Sequence, residues 1–147
     1  MRVHYVVFDK SAFGITERSL KILRNELASR IRNLIAVVEI PTNDLCCTYL
    51  ILDADRRQAV FTGDGFRTDK GGEGGAGHKT AEVLFRLFGV QVIPWDHVPD
   101  LQKVYSLSEQ ETYKLLLRIA GEIAGRVWED DKAHFCCSIE SRPEYIR

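Results

Sequence analysis

The chain has 147 residues, 45% of them hydrophobic and 28% charged, a balance that suits one folded domain with a real core and excludes a disordered or membrane-embedded chain. Lys and Arg number 20 against 21 Asp and Glu, so no excess positive charge is present to hold a phosphate backbone, and nucleic acid is not favoured as a partner. The four cysteines form two adjacent pairs, Cys46/Cys47 and Cys136/Cys137, a poor disulfide framework that suits reduced thiols. Together with the strand-like opening MRVHYVVFDK, which lacks a signal-peptide pattern, they point to a cytoplasmic protein with no membrane partner.

Residues 2–9 are rich in β-branched and aromatic side chains and predict a first strand ending at Asp9. From Glu17 the apolar positions Leu20, Leu23, Leu27, Ile31 and Leu34 recur every three or four residues, the face of a helix running to about Asn33. The apolar run LIAVVEI then reads as a buried strand stopped by Pro41. Residues 45–53 and 59–63 are two further strands, joined by the polar ADRRQ as a hairpin in which Asp53 and Asp55 read as turn residues.

Seven of the eleven glycines follow between Gly63 and Gly77, and this stretch reads as a glycine-rich loop before a helix over 79–88 that Gly89 terminates. VQVI continues as a strand, and Pro94 and Pro99 bracket a loop with Trp95, Asp96 and His97. Ser108 and Glu111 have the spacing of a capping box ahead of a long helix to about Asp130. On it Ala120 and Ala124, and Gly121 and Gly125, lie one turn apart in a strip that another backbone could approach, so the 109–129 helix is a candidate homo-oligomer contact. A last strand is expected over 134–139, and residues 141–147 are expected to fray or to serve assembly. The order predicts a single α/β domain over 1–147, a mixed sheet of about five to six strands including the hairpin, with three helices packed on it and α+β as the alternative class.

The segment GEGGAGHKT is similar to a phosphate-binding Walker loop, but His78 separates the last glycine from Lys79 and turns the lysine by about 100° around the helix. VVFDKSAFG resembles the first motif of haloacid-dehalogenase-type phosphatases, but Ser11 stands where the second aspartate belongs. What remains is an anion nest: amides of the Gly74, Gly75 and Gly77 stretch at a helix start, side-chain donors His78, Lys79 and Thr80, and the two-pronged Arg67 from the other arm. Phe66 and Trp95 are the candidates for stacking on a base.

The expected function is binding of a small anionic, phosphate-bearing ligand, with a nucleotide derivative as the leading identity. One alternative is a phosphate-ester hydrolase or transferase at the same site, with His78 as acid or base and Asp9 or Asp64 assisting. The other is a homo-oligomeric interaction module whose glycine loop is structural. No catalytic residue is assigned, and neither a cofactor nor a metal is expected: His134 and Cys136 share a strand face, but their spacing is not that of a zinc site.

Overall fold

The computed structural model describes residues 1–29, 35–69 and 71–130. Within them the chain runs β1 (Tyr5–Val7), a 3-10 turn (Lys10–Ala12), α1 (Thr16–Ser29), β2 (Ile35–Pro41), β3 (Cys46–Asp53), β4 (Gln58–Phe61), β5 (Phe66–Arg67), α2 (Gly72–Phe88), β6 (Val92–Pro94), a second 3-10 segment (Pro99–Tyr105) and α3 (Glu109–Asp130). The strand expected over 134–139 and the tail 141–147 lie outside the described residues. The first strand is shorter than the pattern of residues 2–9 predicts, although His4 N still donates to the Arg57 carbonyl at 2.8 Å.

The strands form a mixed sheet in the order β1-β4-β3-β2-β6, with β5 added to β3, and this confirms the α/β class. β1 pairs parallel to β4 and β6 parallel to β2, while β3 is antiparallel to both β2 and β4. With β5 also antiparallel to β3, every strand but β3 points the same way, and the carboxyl ends of β1, β2, β4 and β6 share one edge of the sheet, the edge at which open α/β sheets place ligands.

Alternation along the strands divides the core in two. Val38, Ile40, Leu50, Leu52 and Phe61 face α3, whose Leu116, Ile119, Ala120, Ile123, Ala124 and Val127 close that side. Val37, Cys47, Tyr49, Ile51 and Val60 face α1 and α2, with Leu23, Leu27, Ala81 and Phe85 above them. Cover on both faces explains why β2 reads as a nearly continuous apolar run. Among the described residues no helix is long and apolar enough to cross a membrane.

The end of α2 and the start of α3 follow their sequence signals. Gly89 takes the left-handed conformation (φ 69°) and its N–H closes on the Arg86 carbonyl at 3.2 Å. Glu111 N donates to Ser108 Oγ and Ser108 N to Glu111 Oε1, each at 3.2 Å, which is the reciprocal capping box. Those bonds hold the Glu111 carboxyl below the ordinary carboxylate range.

The strip on α3 divides between its two residue types. Ala120 and Ala124 are buried within the chain's own core, whereas a Cβ built on Gly121 or Gly125 meets nothing within 4 Å. Gly121→Ala and Gly125→Ala are accordingly expected to stabilise the fold by about 0.5–1 kcal/mol each, because alanine loses less backbone entropy in a helix. Thermal melts beside size-exclusion chromatography check this; a fall in stability together with a changed elution volume would assign the strip to an interface between copies.

Candidate functional site

The glycine segment is not a loop. α2 begins at Gly72, seven residues before the expected start at Lys79, so Gly74, Gly75 and Gly77 lie in its first turns and Gly75 N donates to the Gly71 carbonyl at 2.9 Å. Of the amides expected to form an anion nest over residues 74–79, only that of Gly74 lies in the first turn, since helical residues beyond it bond their amides internally. The glycines answer to packing instead. A Cβ on Gly77 would stand 2.4 Å from Thr16 Cγ2, and one on Gly74 would stand 2.6 Å from Arg67 Cγ. Their absence of side chains lets the first turn of α2 lie directly against α1 and β5, and helix propensity is given up for that approach.

Two clusters result, both on the α1/α2 face or at its edge. The first is a cavity of about 250 Å³ lined by Gly14, Thr16, Asn43, Asp64, Arg67 and Gly74 together with Cys46, Gly65 and Tyr105. Thr16 and Gly74, from the first turns of α1 and α2, enter its wall. Arg67 reaches the cavity from β5 with its guanidinium held by Asp69: Nε to Oδ1 at 3.0 Å and Nη2 to Oδ2 at 2.5 Å. Asp69 Oδ1 also accepts the Gly71 amide at 3.1 Å, and the Arg67 contact followed by this amide holds its carboxyl below the usual range.

Asp64 ties the floor of this cavity together. Its Oδ1 accepts Gly14 N at 2.8 Å and the Tyr105 hydroxyl at 2.6 Å, and its Oδ2 accepts the Thr42 hydroxyl at 3.2 Å. Burial, and then this carboxylate, push the Tyr105 phenol up, so it stays a donor. At the same end of β2 the Thr42 carbonyl accepts His97 Nε2 at 3.0 Å and the Gln102 side-chain amide, which fixes the loop after β6.

The second cluster lies one turn further along α2. His78 is 7% exposed and turned toward the sheet, its Nε2 3.2 Å from Glu39 Oε1 and its Nδ1 3.4 Å from Glu82 Oε1. Tyr49, opposite Glu39 in the β2–β3 register, donates its hydroxyl to the same Glu39 oxygen at 2.9 Å. Cys47 stands on the same face of β3, and the ligand atoms of Glu39, Cys47 and His78 all lie within 4.8 Å of one another. Burial first, and the Glu39 charge second, push the Cys47 thiol far above its ordinary range; burial does the same to the Tyr49 phenol. A cleft of about 380 Å³, lined by Glu39, Tyr49, Glu82, Phe85, Arg86, Val92 and Pro94, opens beside the cluster.

The predicted site residues are thus divided. Arg67 and Gly74 meet at the first cavity, His78 belongs to the second cluster, Gly75 is buried, and Gly77 is buried against Thr16 of α1. Lys79 and Thr80 are on the outer side of α2, with Thr80 Oγ1 donating to the Ala76 carbonyl at 3.0 Å. Phe66 is fully buried edge-on against Tyr49, with centroids 4.9 Å apart, and has no face left for a base. Trp95 packs on the opposite side of the sheet, under the Arg126 guanidinium at 4.7 Å, and lines a separate recess with Asp96, His97 and Val98. Asp9 accepts Ser11 N at 2.9 Å and Ser11 Oγ at 2.7 Å, a cap on the first 3-10 turn.

Glu39, Tyr49 and Glu82 escaped sequence reasoning, which offers Cys47 only as a third ligand beside His134 and Cys136. One signal was there: Glu39 is the single charge in the strand IAVVEIP, and a charge on a buried strand requires a partner. No family model, curated protein or solved structure matches the chain.

Proposed function

We propose that this protein binds a small anionic, phosphate-bearing ligand in the cavity between the first turns of α1 and α2; the nucleotide identity expected from the sequence loses its two base-stacking candidates, Phe66 and Trp95, which lie outside this cavity. The observation that carries the reading is convergence. The first turns of two helices and the Arg67 fork meet at one cavity of about 250 Å³, beside the carboxyl end of β4. Thr16 and Asn43 add polar side chains to the same wall. The Asp64 carboxylate, which would repel an anion, is already met by three donors. Asp69 then acts as an internal stand-in, a carboxylate on the very donors a phosphate would use.

That last point gives the reading a test with opposite signs. Calorimetric titration with inorganic phosphate and a panel of nucleoside mono-, di- and triphosphates is expected to find a ligand whose affinity falls about 10-fold or more in Arg67→Ala, since a charge-assisted hydrogen bond contributes about 1.5–3 kcal/mol. Asp69→Asn is expected to raise the same affinity about 2- to 5-fold, because it releases Arg67 from an exposed pair of modest strength. If no member of the panel binds, or if both variants bind like the native chain, the proposal fails. A hydrolase or transferase reading that routes a proton through His78 draws no support from this cavity, whose lining does not include that residue.

A further inference from the structure

We propose that Glu39, Cys47 and His78 form a three-ligand site for a divalent transition metal of the zinc class, with the fourth position open to the cleft beside α2. The inference is independent of the anion cavity: it concerns a different turn of the helix and different side chains.

Distance comes first. Metal bonds of about 2.0–2.3 Å in a tetrahedral site put neighbouring ligand atoms roughly 3.3–3.8 Å apart. Glu39 Oε1 and His78 Nε2 already stand 3.2 Å apart, and one ligand atom from each of Glu39, Cys47 and His78 lies within 4.8 Å of the other two. Closing this triangle takes side-chain shifts of under about 1 Å. The three ligands come from three rigid elements, β2, β3 and α2, so the triangle is set by the sheet register and the docking of the helix.

The unpaired ring nitrogen is the second observation. His78 Nδ1 is buried without a hydrogen-bond partner, its contact to Glu82 being one of distance and not of hydrogen-bond geometry. The metal takes the Nε2 lone pair and the Glu39 oxygen, and the Nδ1–H is left to donate to Glu82, the carboxylate–histidine–metal arrangement that fixes ligating imidazoles. Tyr49 already supplies the matching support for the other ligand by donating to Glu39 Oε1 at 2.9 Å.

Charge and donor chemistry select the ion. Binding displaces the Cys47 thiol proton to solvent, so one thiolate, one carboxylate and one neutral imidazole meet a dication and the buried site is neutral. Sulfur, nitrogen and oxygen donors in one set suit zinc and its neighbours, whereas magnesium and calcium take oxygen alone. Three protein ligands beside a cleft of about 380 Å³ match the open form of site, in which water or a ligand atom takes the remaining position.

The test uses the full chain, stripped with a chelator and titrated with Zn²⁺ or Co²⁺. One equivalent is expected to bind, and the Co²⁺ complex is expected to show intense near-ultraviolet thiolate-to-metal absorption. Cys47→Ser is expected to abolish that absorption. Glu39→Gln, which keeps the shape of a partly exposed side chain, is expected to weaken binding at least about 10-fold and to keep the absorption, and Glu82→Gln to weaken it about 10-fold through the outer contact. Cys46→Ser and the double variant Cys136→Ser/Cys137→Ser are expected to bind like the native chain. Failure to bind either ion overturns the proposal, as does absorption that survives Cys47→Ser or disappears with Cys136 and Cys137. Should Cys47→Ser not fold by circular dichroism, Glu39→Gln decides: unchanged affinity there also overturns it.

Discussion

Gly65→Ala is expected to cost this fold about 3 kcal/mol, at the upper end for overpacking, and to lower the melting temperature by roughly 10 °C. A Cβ at this position would stand 2.6 Å from the carbonyl carbon and oxygen of Ile15 and 2.6 Å from Thr16 Cα. Those are backbone atoms at the entry to α1, so no rotamer change relieves the clash. Relief requires α1 to move off the segment that follows β4, and two bonds hold it there: Thr16 Oγ1 donates to the Gly65 carbonyl at 2.6 Å and Gly65 N donates to Ser19 Oγ at 3.2 Å. Gly74→Ala supplies the contrast, because the atoms it meets belong to the flexible Arg67 side chain, and it is expected to cost less. Thermal melts of the two variants settle the matter. Equal and small losses would mean that α1 is not fixed at this distance.

Asp64→Ala is the second large effect, an expected loss of about 3–5 kcal/mol. The substitution leaves the Gly14 amide and the fully buried Thr42 hydroxyl without their acceptor and releases Tyr105, in a place where hydrogen bonds to a charged group contribute about 1.5–3 kcal/mol each. Asp64→Asn keeps one oxygen as acceptor and presents an amide to the Thr42 hydroxyl, which can accept it, so about 1–2 kcal/mol is expected. Tyr105→Phe removes one donor from a ring that is 54% exposed, and about 1 kcal/mol is expected. Urea denaturation should rank the three in that order. If Asp64→Ala melts with Tyr105→Phe, the carboxylate is not the junction of β4, the α1 entry and the end of β2 that its three bonds describe.

Position 64 also shows why the edge of this sheet is sensitive. The carboxyl ends of β2 and β4 are joined there by side chains and not by ladder hydrogen bonds, and the cavity proposed to hold an anion is built directly on that joint. Damage to Asp64 should therefore reach anion affinity and stability together. Arg67→Ala, at a half-exposed position with an exposed partner, should reach affinity alone.

Much of the fold was legible in local pattern. The spacing of Leu20, Leu23 and Leu27, the 45–63 hairpin around the polar ADRRQ, the Ser108/Glu111 cap and the Gly89 stop each depend on interactions within a few residues, and each is where the pattern placed it. The start of α2 was not legible, because glycine's helix propensity argues for a loop, and contacts with Thr16 and Arg67, some 60 and 7 residues away in sequence, override it. The pairing of clusters was equally hidden. Sequence put Arg67 and His78 in one site; the helix separates them by turning His78 toward Glu39 and leaving Gly74 beside Arg67.

By itself the sequence determined the order of the longer strands and helices, since periodicity and local hydrogen bonding settle these within a window of a dozen residues, but not the short β5 or the first turns of α2. Only the tertiary structure decided which donors share a cavity. Bringing Glu39, Cys47 and His78 within reach of one another depends on a strand register and on a helix docked by the bare faces of two glycines, and neither is written in any single segment.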